Sequence, residues 1–411
     1  MNKSIIKYEH QKLIIGEDGF NKKHLNALLK LNEYHDFKYF EAIANGIKFN
    51  QYVGIIQIDG LSIEILPKAD KYSDDDKWRT VLLEMLQECG KIKVSSAGAA
   101  NVERQNLNLL EVYFELFLNE VNILIRQGLV KKYRKQSNNI NALKGKLEFA
   151  GNIRKNLIHK ERFYTTHQIY DKNHLLHQVL FVAIKIVNQF SSNMFLNDFS
   201  KRILLNFPEI THKTITKSTL DNIKLNRKTN AYSYAIELAR LIILNYSPDI
   251  SSGNEKMISL LFDMNNLWEE YVLIKLQKHF ENTNYEVSGQ ERKNFFKSNY
   301  LIPDIVIRNN KETFIIDTKW KQPNNSANVS DLRQMYTYAR FWNAKKVMLL
   351  YPKDYYFNEY SDFETDEIIE LNDEYTKTKH QCKLGFVSVL NDENKLDVDI
   401  AKNIAKLIEV F

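Results

Sequence analysis

Three charged side chains, Asp304, Asp317 and Lys319, stand at the ends of two apolar, β-branched runs in the C-terminal part of the chain. The runs, residues 305–307 and 313–316, flank a polar turn, and this pattern predicts a β-hairpin. Two carboxylates held close together repel each other unless a cation lies between them, and hard oxygen ligands suit Mg²⁺. A metal ion beside a lysine can hydrolyse a phosphodiester, so this hairpin is the candidate catalytic element.

The register of the hairpin follows from its turn. A turn centred on residues 310–311 places Asp304 opposite Asp317, and a shift of two residues makes the pair diagonal but leaves it on one face. Because strand side chains alternate between faces, Asp317 and Lys319 project from the same side. The alternative interpretation is a surface hairpin whose charged ends are simply solvated.

Two flanking segments favour the catalytic interpretation. Upstream, residues 259–276 carry apolar residues at helical spacing, with Glu269 at the centre. Downstream, residues 331–342 predict a second helix, on which Gln334 and Tyr338 are one turn apart and share a face.

The order of these motifs resembles RecB-like members of the PD-(D/E)xK nuclease superfamily. A helix with Glu comes first, then Pro-Asp, a strand's length and Asp-x-Lys, and then a helix with Gln-x-x-x-Tyr. The resemblance implies Mg²⁺-dependent hydrolysis of DNA, with Mn²⁺ as an alternative ion. Asp304, Asp317, the main-chain carbonyl of Thr318 and Glu269, directly or through water, are the expected metal ligands.

The same resemblance gives roles to the remaining candidate catalytic residues. Lys319 would orient the attacking water and neutralise charge on the phosphate, while Gln334 and Tyr338 would position the DNA strand. Glu269 is preferred to Glu270 because it follows Leu-Trp as the family's glutamate follows Leu-Phe, although the choice between them stays open.

The first 100 residues are strand-biased and hold no catalytic pattern. Residues 52–68 contain two β-branched runs joined at Asp59-Gly60, which predicts a hairpin that Pro67 ends. With the helix predicted at residues 78–86, this segment resembles the N-terminal signature of McrC, the nuclease subunit of McrBC-type restriction systems. The residues that carry the likeness are Gly54 and the block Ile63-Glu64-Ile65-Leu66-Pro67-Lys68.

Residues 103–255 are predicted to be helical, and they include a basic stretch, residues 126–162. This stretch has 11 Lys and Arg against two Glu, whereas the whole chain has a net charge of +6. It is either a solvated face or a track for DNA phosphates, and interspersed aromatic residues are either core or stacking groups for bases. Those residues are Tyr133, Phe149, Phe163 and Tyr164.

The McrC likeness continues through residues 128–133, 143–147 and 171–180, with a departure at His177-Gln178, where the family has an Asn. His174 and His177 are three apart on a predicted helix. Without a third ligand at metal-binding spacing, packing or surface histidines are the favoured interpretation.

The family likeness also implies partners. The sequence has no Gly-x-x-x-x-Gly-Lys-Ser/Thr motif, so a nucleotide-driven motor is expected on another chain, a hexameric McrB-like AAA+ GTPase. The N-terminal β-domain would dock on that ring and stimulate it, and the C-terminal domain would cut double-stranded DNA. Two alternatives are a non-cleaving DNA-binding activator of the motor and a stand-alone RecB-like nuclease.

Composition agrees with a cytoplasmic protein that does not enter a membrane. The chain has 411 residues, 44% hydrophobic and 26% charged, only two cysteines, and no apolar run long enough to span a bilayer. The expected fold is α+β with several domains: a β-rich domain over residues 1–100, a helical middle domain over 101–254, and a C-terminal α/β PD-(D/E)xK restriction-endonuclease-like core over 255–411.

Overall fold

The computed structural model describes residues 3–58, 60–67, 75–92, 108–247, 257–321, 327–353, 359–363, 368–371, 374–377 and 380–408. The helices are α1 Lys22–Tyr34, α2 Asp75–Glu88, α3 Leu109–Gln127, α4 Phe149–Asn156, α5 Leu175–Phe190, α6 Met194–Asn206, α7 Lys217–Asp221, α8 Ser233–Leu244, α9 Met264–Phe280, α10 Val329–Trp342 and α11 Ile400–Leu407. The strands are β1 Lys3–Tyr8, β2 Lys12–Ile14, β3 Phe40–Ile43, β4 Gly46–Phe49, β5 Tyr52–Ile58, β6 Leu61–Leu66, β7 Lys132–Ile140, β8 Lys146–Leu147, β9 Phe163–Asp171, β10 Tyr246–Ser247, β11 Met257–Asp263, β12 Glu286–Gly289, β13 Lys293–Phe296, β14 Asn299–Leu301, β15 Ile305–Arg308, β16 Thr313–Thr318, β17 Lys346–Pro352, β18 Ser361–Asp362, β19 Ile368–Leu371, β20 Glu374–Lys377 and β21 Gln381–Val387.

The chain packs as two compact units. The central unit contains Ile56–Gly60 and Leu107–Leu260, and the terminal unit contains Lys3–Ile55, Leu61–Asn106 and Leu261–Phe411. The mixed α and β content agrees with the predicted class, while the division into three domains stays a prediction.

A six-stranded sheet forms the middle of the terminal unit, in the order β12-β15-β16-β17-β21-β18. β15 and β16 are the predicted hairpin, and its register is confirmed by the pairs Arg308↔Thr313 and Ile305↔Ile316. β16 and β17 run parallel and are joined through α10, as parallel neighbours must be joined by a crossover.

Helix α10 covers one face of this sheet. Met335, Ala339 and Trp342 pack with Ile315 and Val347 in a single buried cluster. The helical spacing of the apolar side chains on α10 therefore sets which of its faces turns to the sheet, and leaves the other face to carry polar groups.

The N-terminal part of the terminal unit is strand-rich, as predicted. β1 pairs in parallel with β6, and β2, β4 and β3 form an antiparallel sheet. β5 and β6 form where the hairpin was predicted, and β6 ends before Pro67. Helix α1, which Asn21 caps through its side chain, was not predicted.

The expectation that the middle of the chain is helical is wrong in one segment. α3, α5, α6 and α8 are helices, and α3 ends at Gln127 before Gly128, a residue type that favours a helix terminus and here has φ 91°. Residues 132–171, however, contain a three-stranded antiparallel sheet in the order β7-β9-β8. Its strand β7 is polar and half-exposed, so it lacks the apolar alternation by which a strand is identified in sequence.

Two further expectations are corrected. The helix predicted from residue 259 begins at Met264, because residues 257–263 form β11 and the Asp263 side chain accepts a hydrogen bond from the Asn265 N–H at 3.0 Å. The acid-rich composition of residues 359–374 predicts an exposed loop, but parts of this stretch form β18, β19 and the start of β20. Among the described residues, no helix has both the length and the apolar character needed to cross a bilayer.

Candidate active site

The predicted catalytic aspartates meet where β15 begins and β16 ends. The N–H and the Oγ1 hydroxyl of Thr318 both donate to Oδ2 of Asp304, at 2.7 and 2.9 Å. These two bonds fix the Asp304 side chain across the end of the hairpin, next to the strand that carries Asp317. The sequence-derived register therefore places both carboxylates in one site.

Asp317 and Lys319 form an ion pair, as expected for residues two apart on a strand. Lys319 Nζ lies 2.5 Å from Oδ2 of Asp317, and the carboxylate side chain is only 1% exposed whereas that of the lysine is 24% exposed. Burial works to lower the pKa of Lys319, but the charges of Asp317 and Asp304 outweigh it and raise this pKa. The lysine is therefore charged at neutral pH, with its ammonium at the mouth of the site.

Burial, and then repulsion from neighbouring carboxylates, raises the pKa of both aspartates. For Asp317 the causes are burial and then the charge of Asp304; for Asp304 they are burial and then the charge of Glu269. A cation between the carboxylates would relieve this repulsion, and carboxylate oxygens are the ligands that Mg²⁺ prefers.

The side chains present therefore fit a magnesium ion held by two aspartates that keeps several of its own waters. Over the described ranges, no group of three or more His, Cys, Asp or Glu side chains is arranged to hold a metal. Both roles foreseen for Glu269, direct ligation and ligation through water, stay predictions.

The two glutamates of α9 have different surroundings. Glu269 accepts a hydrogen bond from Gln290 Nε2 at 2.8 Å, and its pKa is raised by burial and by the charge of Asp317. Glu270 instead forms an ion pair with Lys91 at 2.9 Å. The structure thus orients Glu269, and not Glu270, toward the aspartates.

Gln290 is a residue of the site that the sequence did not indicate. Besides its bond to Glu269, its main-chain N–H donates to the carbonyl of Asp304 at 3.0 Å, and its φ is 50°. It follows β12, whose pairing with β15 includes Gly289↔Ile305. Its position depends on this long-range pairing, so no local pattern could have revealed it.

Helix α10 supplies the remaining predicted pair. Gln334 Nε2 donates to the Tyr338 hydroxyl at 2.8 Å, which confirms that the two share a face. That hydroxyl in turn donates to the carbonyl of Ile302 at 2.9 Å. The pair is therefore tied to the segment that leads into Asp304, while its contact with DNA stays a prediction.

Trp320, the residue after Lys319, fixes the end of the β16 strand. Its indole N–H donates to Oε1 of Glu9 at 2.6 Å, and its ring lies 6.4 Å from that of Trp78 and 5.5 Å from that of Trp268. The end of β16 is thus held partly by N-terminal residues of the terminal unit, Glu9 and Trp78.

The basic stretch of the central unit is largely exposed. Nine of its eleven cations are exposed; the half-buried pair is Lys132 and Arg134, and Arg134 is bound to Asp171 at 2.7 Å. Tyr133 and Phe149 are also exposed, at 71% and 73%. Charged and aromatic groups are thus accessible there, and phosphate binding stays a prediction.

His174 and His177 are packing residues, as favoured from the sequence. Both are buried, His174 Nε2 donates to the carbonyl of Val130 at 2.8 Å, and His177 Nδ1 donates to that of Lys172 at 2.6 Å. The Tyr232 hydroxyl lies 3.0 Å from His177 Nε2. Burial and the neighbouring His174 lower the pKa of His177 to about 4, so its ring is neutral.

The fold and site together define a mixed α/β protein with a carboxylate pair and a lysine at the end of a sheet hairpin. Comparison with known proteins gives the family. Residues 47–352, more than half of the chain, match the model of the McrBC 5-methylcytosine restriction system component family, and the chain belongs to that family.

Individual relatives are distant in sequence. The type IV methyl-directed restriction enzyme EcoKMcrBC of Escherichia coli K12 is 22% identical over 226 residues, which are 52% of this chain and 64% of the relative, less than two thirds of its length. The McrB AAA+ hexamers with bound McrC from Thermococcus gammatolerans include a chain with a TM-score of 0.71 at 20% identity, covering 99% of each. The cryo-EM McrBC complex of that organism gives 0.52 at 22% identity, over 67% of this chain and 88% of that one. At these identities the structural likeness shows the fold.

Proposed function

We propose that this chain is the DNA-cleaving subunit of a modification-dependent restriction system. The observation that carries the proposal is the joining of Asp304, Asp317 and Lys319 at one end of the β15–β16 hairpin, in a chain of the McrBC family. The arrangement is the one expected of a PD-(D/E)xK nuclease core.

Asp304 and Asp317 would hold Mg²⁺, or Mn²⁺ in its place, with help from the carbonyl of Thr318 and, through water, from Glu269. When bound, the ion would polarise the scissile phosphate and lower the pKa of a bound water. Each aspartate is supported by its own partner, Thr318 or Lys319, so the pair is already oriented before the ion arrives.

Lys319 would act on the phosphate directly. Its ammonium lies at the exposed edge of the site, where it can hold the attacking water and stabilise the charge that grows on the phosphate oxygens in the transition state. Gln334 and Tyr338 would set the position of the segment leading into Asp304 and contact the DNA strand.

A hexameric McrB-like AAA+ GTPase is the proposed partner, because solved relatives of the same fold are McrC bound to such hexamers. The 5-methylcytosine in the family description makes modified double-stranded DNA the proposed substrate. The N-terminal strands, β1 to β6, would dock on the partner and stimulate its hydrolysis of GTP.

The deciding experiment is Mg²⁺-dependent cleavage of methylated and unmethylated plasmid by the purified protein, with and without the AAA+ protein and GTP. Asp317→Asn keeps the shape of the side chain and serves as the matched variant. We expect cleavage to require methylation, partner, GTP, Mg²⁺ and Asp317. If stimulation of the GTPase occurs while no condition yields cleavage, the protein is an activator of the motor and not a nuclease.

A further inference from the structure

A short hairpin of exposed aromatic residues leads into the candidate active site. It consists of β13 and β14, which pair Lys293 with Leu301 and Asn294 with Tyr300, and the register shifts before Phe296. Its turn contains Lys297 in the left-handed region, with φ 51°. Residues 293–301 are called the aromatic hairpin below.

Three rings of the aromatic hairpin face solvent. Phe295, Phe296 and Tyr300 are 53%, 60% and 54% exposed. One exposed aromatic side chain is ordinary, but three within nine residues form a patch that is unfavourable in water unless another molecule covers it. An isolated two-stranded hairpin also has little stability of its own.

Both ends of the aromatic hairpin are fastened to the active site. Before its first strand, Gln290 is bonded to Glu269 and to the carbonyl of Asp304. After its second strand, the carbonyl of Ile302 accepts the hydrogen bond from Tyr338. The hairpin thus begins and ends on residues of the catalytic centre.

The side of the hairpin nearest α10 is supported by protein. The ring of Phe295 lies 5.5 Å from that of Phe341, and Lys293 Nζ donates to the Phe341 carbonyl at 2.8 Å. These contacts set its direction and leave Phe296 and Tyr300 as the most outward aromatic groups.

The charge of this segment identifies the partner. Arg292, Lys293 and Lys297 are exposed cations, and Glu291, the only acidic residue in the sequence of residues 290–301, is bound to Arg308 at 2.8 Å. A patch of cations interspersed with aromatic rings suits a polyanion that also offers apolar faces, which is the chemistry of nucleic acid.

The distance to the reacting centre is short. Tyr300 is four residues before Asp304, so the two are at most about 14 Å apart along an extended chain. With a rise of about 3.4 Å per base pair, that length corresponds to about four base pairs. The backbone of Tyr300 therefore lies close to the proposed cleavage site, so its ring can reach DNA near the cleaved bond.

We propose that the aromatic hairpin is a DNA-contacting element that holds the duplex beside the scissile phosphate. Arg292 and Lys297 bind phosphates, and Phe296 and Tyr300 pack against sugars and base faces, as apolar wedges do in the minor groove. The proposal rests on the proposed function, since it assigns the hairpin to the DNA that the same site cleaves.

The test compares three double variants of the full chain, each made in an Asp317→Asn background so that bound DNA stays intact. They are Phe296→Ala with Tyr300→Ala, Arg292→Ala with Lys297→Ala, and the control Tyr34→Ala with Phe37→Ala. The control rings are in the same unit and are 74% and 66% exposed. Fluorescence anisotropy measures the affinity for a fluorescein-labelled duplex at several salt concentrations. The duplex has about 30 base pairs, so it extends beyond the reach estimated above.

We expect the aromatic variant to bind at least tenfold more weakly than the parent, since each lost ring contact weakens binding by about tenfold. The cation variant should lower the slope of log affinity against log salt by about 2. The control should stay within twofold. The same changes in an otherwise unaltered chain should lower cleavage and leave stimulation of the partner's GTPase intact.

The proposal is wrong if both hairpin variants bind DNA as tightly as the parent. If those variants also fail to stimulate the partner's GTPase, the patch contacts the protein partner instead. A failure of the proposed function can be distinguished from a failure of this DNA-contact proposal. A parent chain that binds DNA through the hairpin but never cuts with Mg²⁺, partner and GTP is not a nuclease, yet the contact assigned to the hairpin stands.

Discussion

Asp317 is a buried carboxylate that forms an ion pair with Lys319. Its side chain is 1% exposed, and Lys319 Nζ lies 2.5 Å from it. A buried carboxylate without such a partner takes up a proton, because burial destabilises the charged form. In the proposed mechanism Lys319 would therefore have two functions, to stabilise the phosphate and to keep Asp317 ionised as a metal ligand.

Replacement of Lys319 should for this reason abolish catalysis without unfolding the protein. We expect Lys319→Ala to lower cleavage by at least about 100-fold, the effect of losing one electrostatic stabiliser of the transition state. Multiple-turnover cleavage and circular dichroism measure the two outcomes. Wild-type cutting by this variant would remove Lys319 from the mechanism.

Substitutions of the two adjacent glutamates, Glu269 and Glu270, give a test variant and its matched control. Glu269→Ala removes the group that Gln290 holds near the aspartates, and we expect a loss of cleavage of about tenfold or more, with a higher Mg²⁺ requirement. Glu270→Ala loses a partly exposed ion pair to Lys91, so activity should change less than twofold. A Mg²⁺ titration of both variants checks this, and the reverse order of effects would assign the role to Glu270.

Most of the candidate site was predictable from the sequence because it is local. Asp304, Asp317 and Lys319 belong to one hairpin, whose register follows from its turn, and Gln334 and Tyr338 are separated by one helical turn. Gln290 was not predictable, because it reaches Glu269 only through the pairing of β12 with β15.

At the scale of elements, the predictions failed where apolar periodicity was weak or ambiguous. Strand β7 alternates half-buried and exposed residues that are nearly all polar, so it carries no hydrophobic signal. The apolar residues before Asp263 fit a strand or a helix equally well, and only the cap formed by Asp263 marks where α9 begins. Clear signals, such as the two apolar, β-branched runs that form β15 and β16, were reliable.

The turn between β9 and α5, where His177 bonds to the carbonyl of Lys172, should make stability depend on pH. The pKa of His177 is about 4 in the folded protein and 6.5 ordinarily, so between these values the unfolded chain binds more protons. Its contribution to stability is complete above pH 6.5 and is lost as the pH falls toward 4. The loss amounts to about 2 kcal/mol at pH 5.

His177→Gln should remove this component while an amide replaces the ring in its hydrogen bonds. Urea denaturation at pH 7 and pH 5 measures it: the wild type should lose stability on acidification, and the variant should lose about 2 kcal/mol less. Lys213→Gln, on an exposed side chain, is the control. An equal pH dependence in both proteins would contradict the assignment.

At the scale of the whole molecule, the exposed basic stretch should contribute to the affinity for DNA independently of sequence. We expect the triple variant Lys144→Ala, Arg154→Ala, Lys160→Ala to bind duplexes of any sequence more weakly, with a salt slope lower by about 3. The matched triple Lys22→Ala, Lys23→Ala, Lys402→Ala changes the net charge equally on exposed sites elsewhere. Equal salt slopes for the two triples would show that the stretch is a solvated face.

The hydrogen bond between Trp320 and Glu9 bears on how the proposed nuclease domain could be engineered. Excision of residues 255–411 as a portable cutting module would remove Glu9 and Trp78, and would leave a buried indole N–H without its acceptor at the residue after Lys319. An unsatisfied buried donor costs about 1–3 kcal/mol, and the lost ring contacts add to this. A chimaeric nuclease built on this scaffold should therefore retain both the N-terminal strand segment and helix α2.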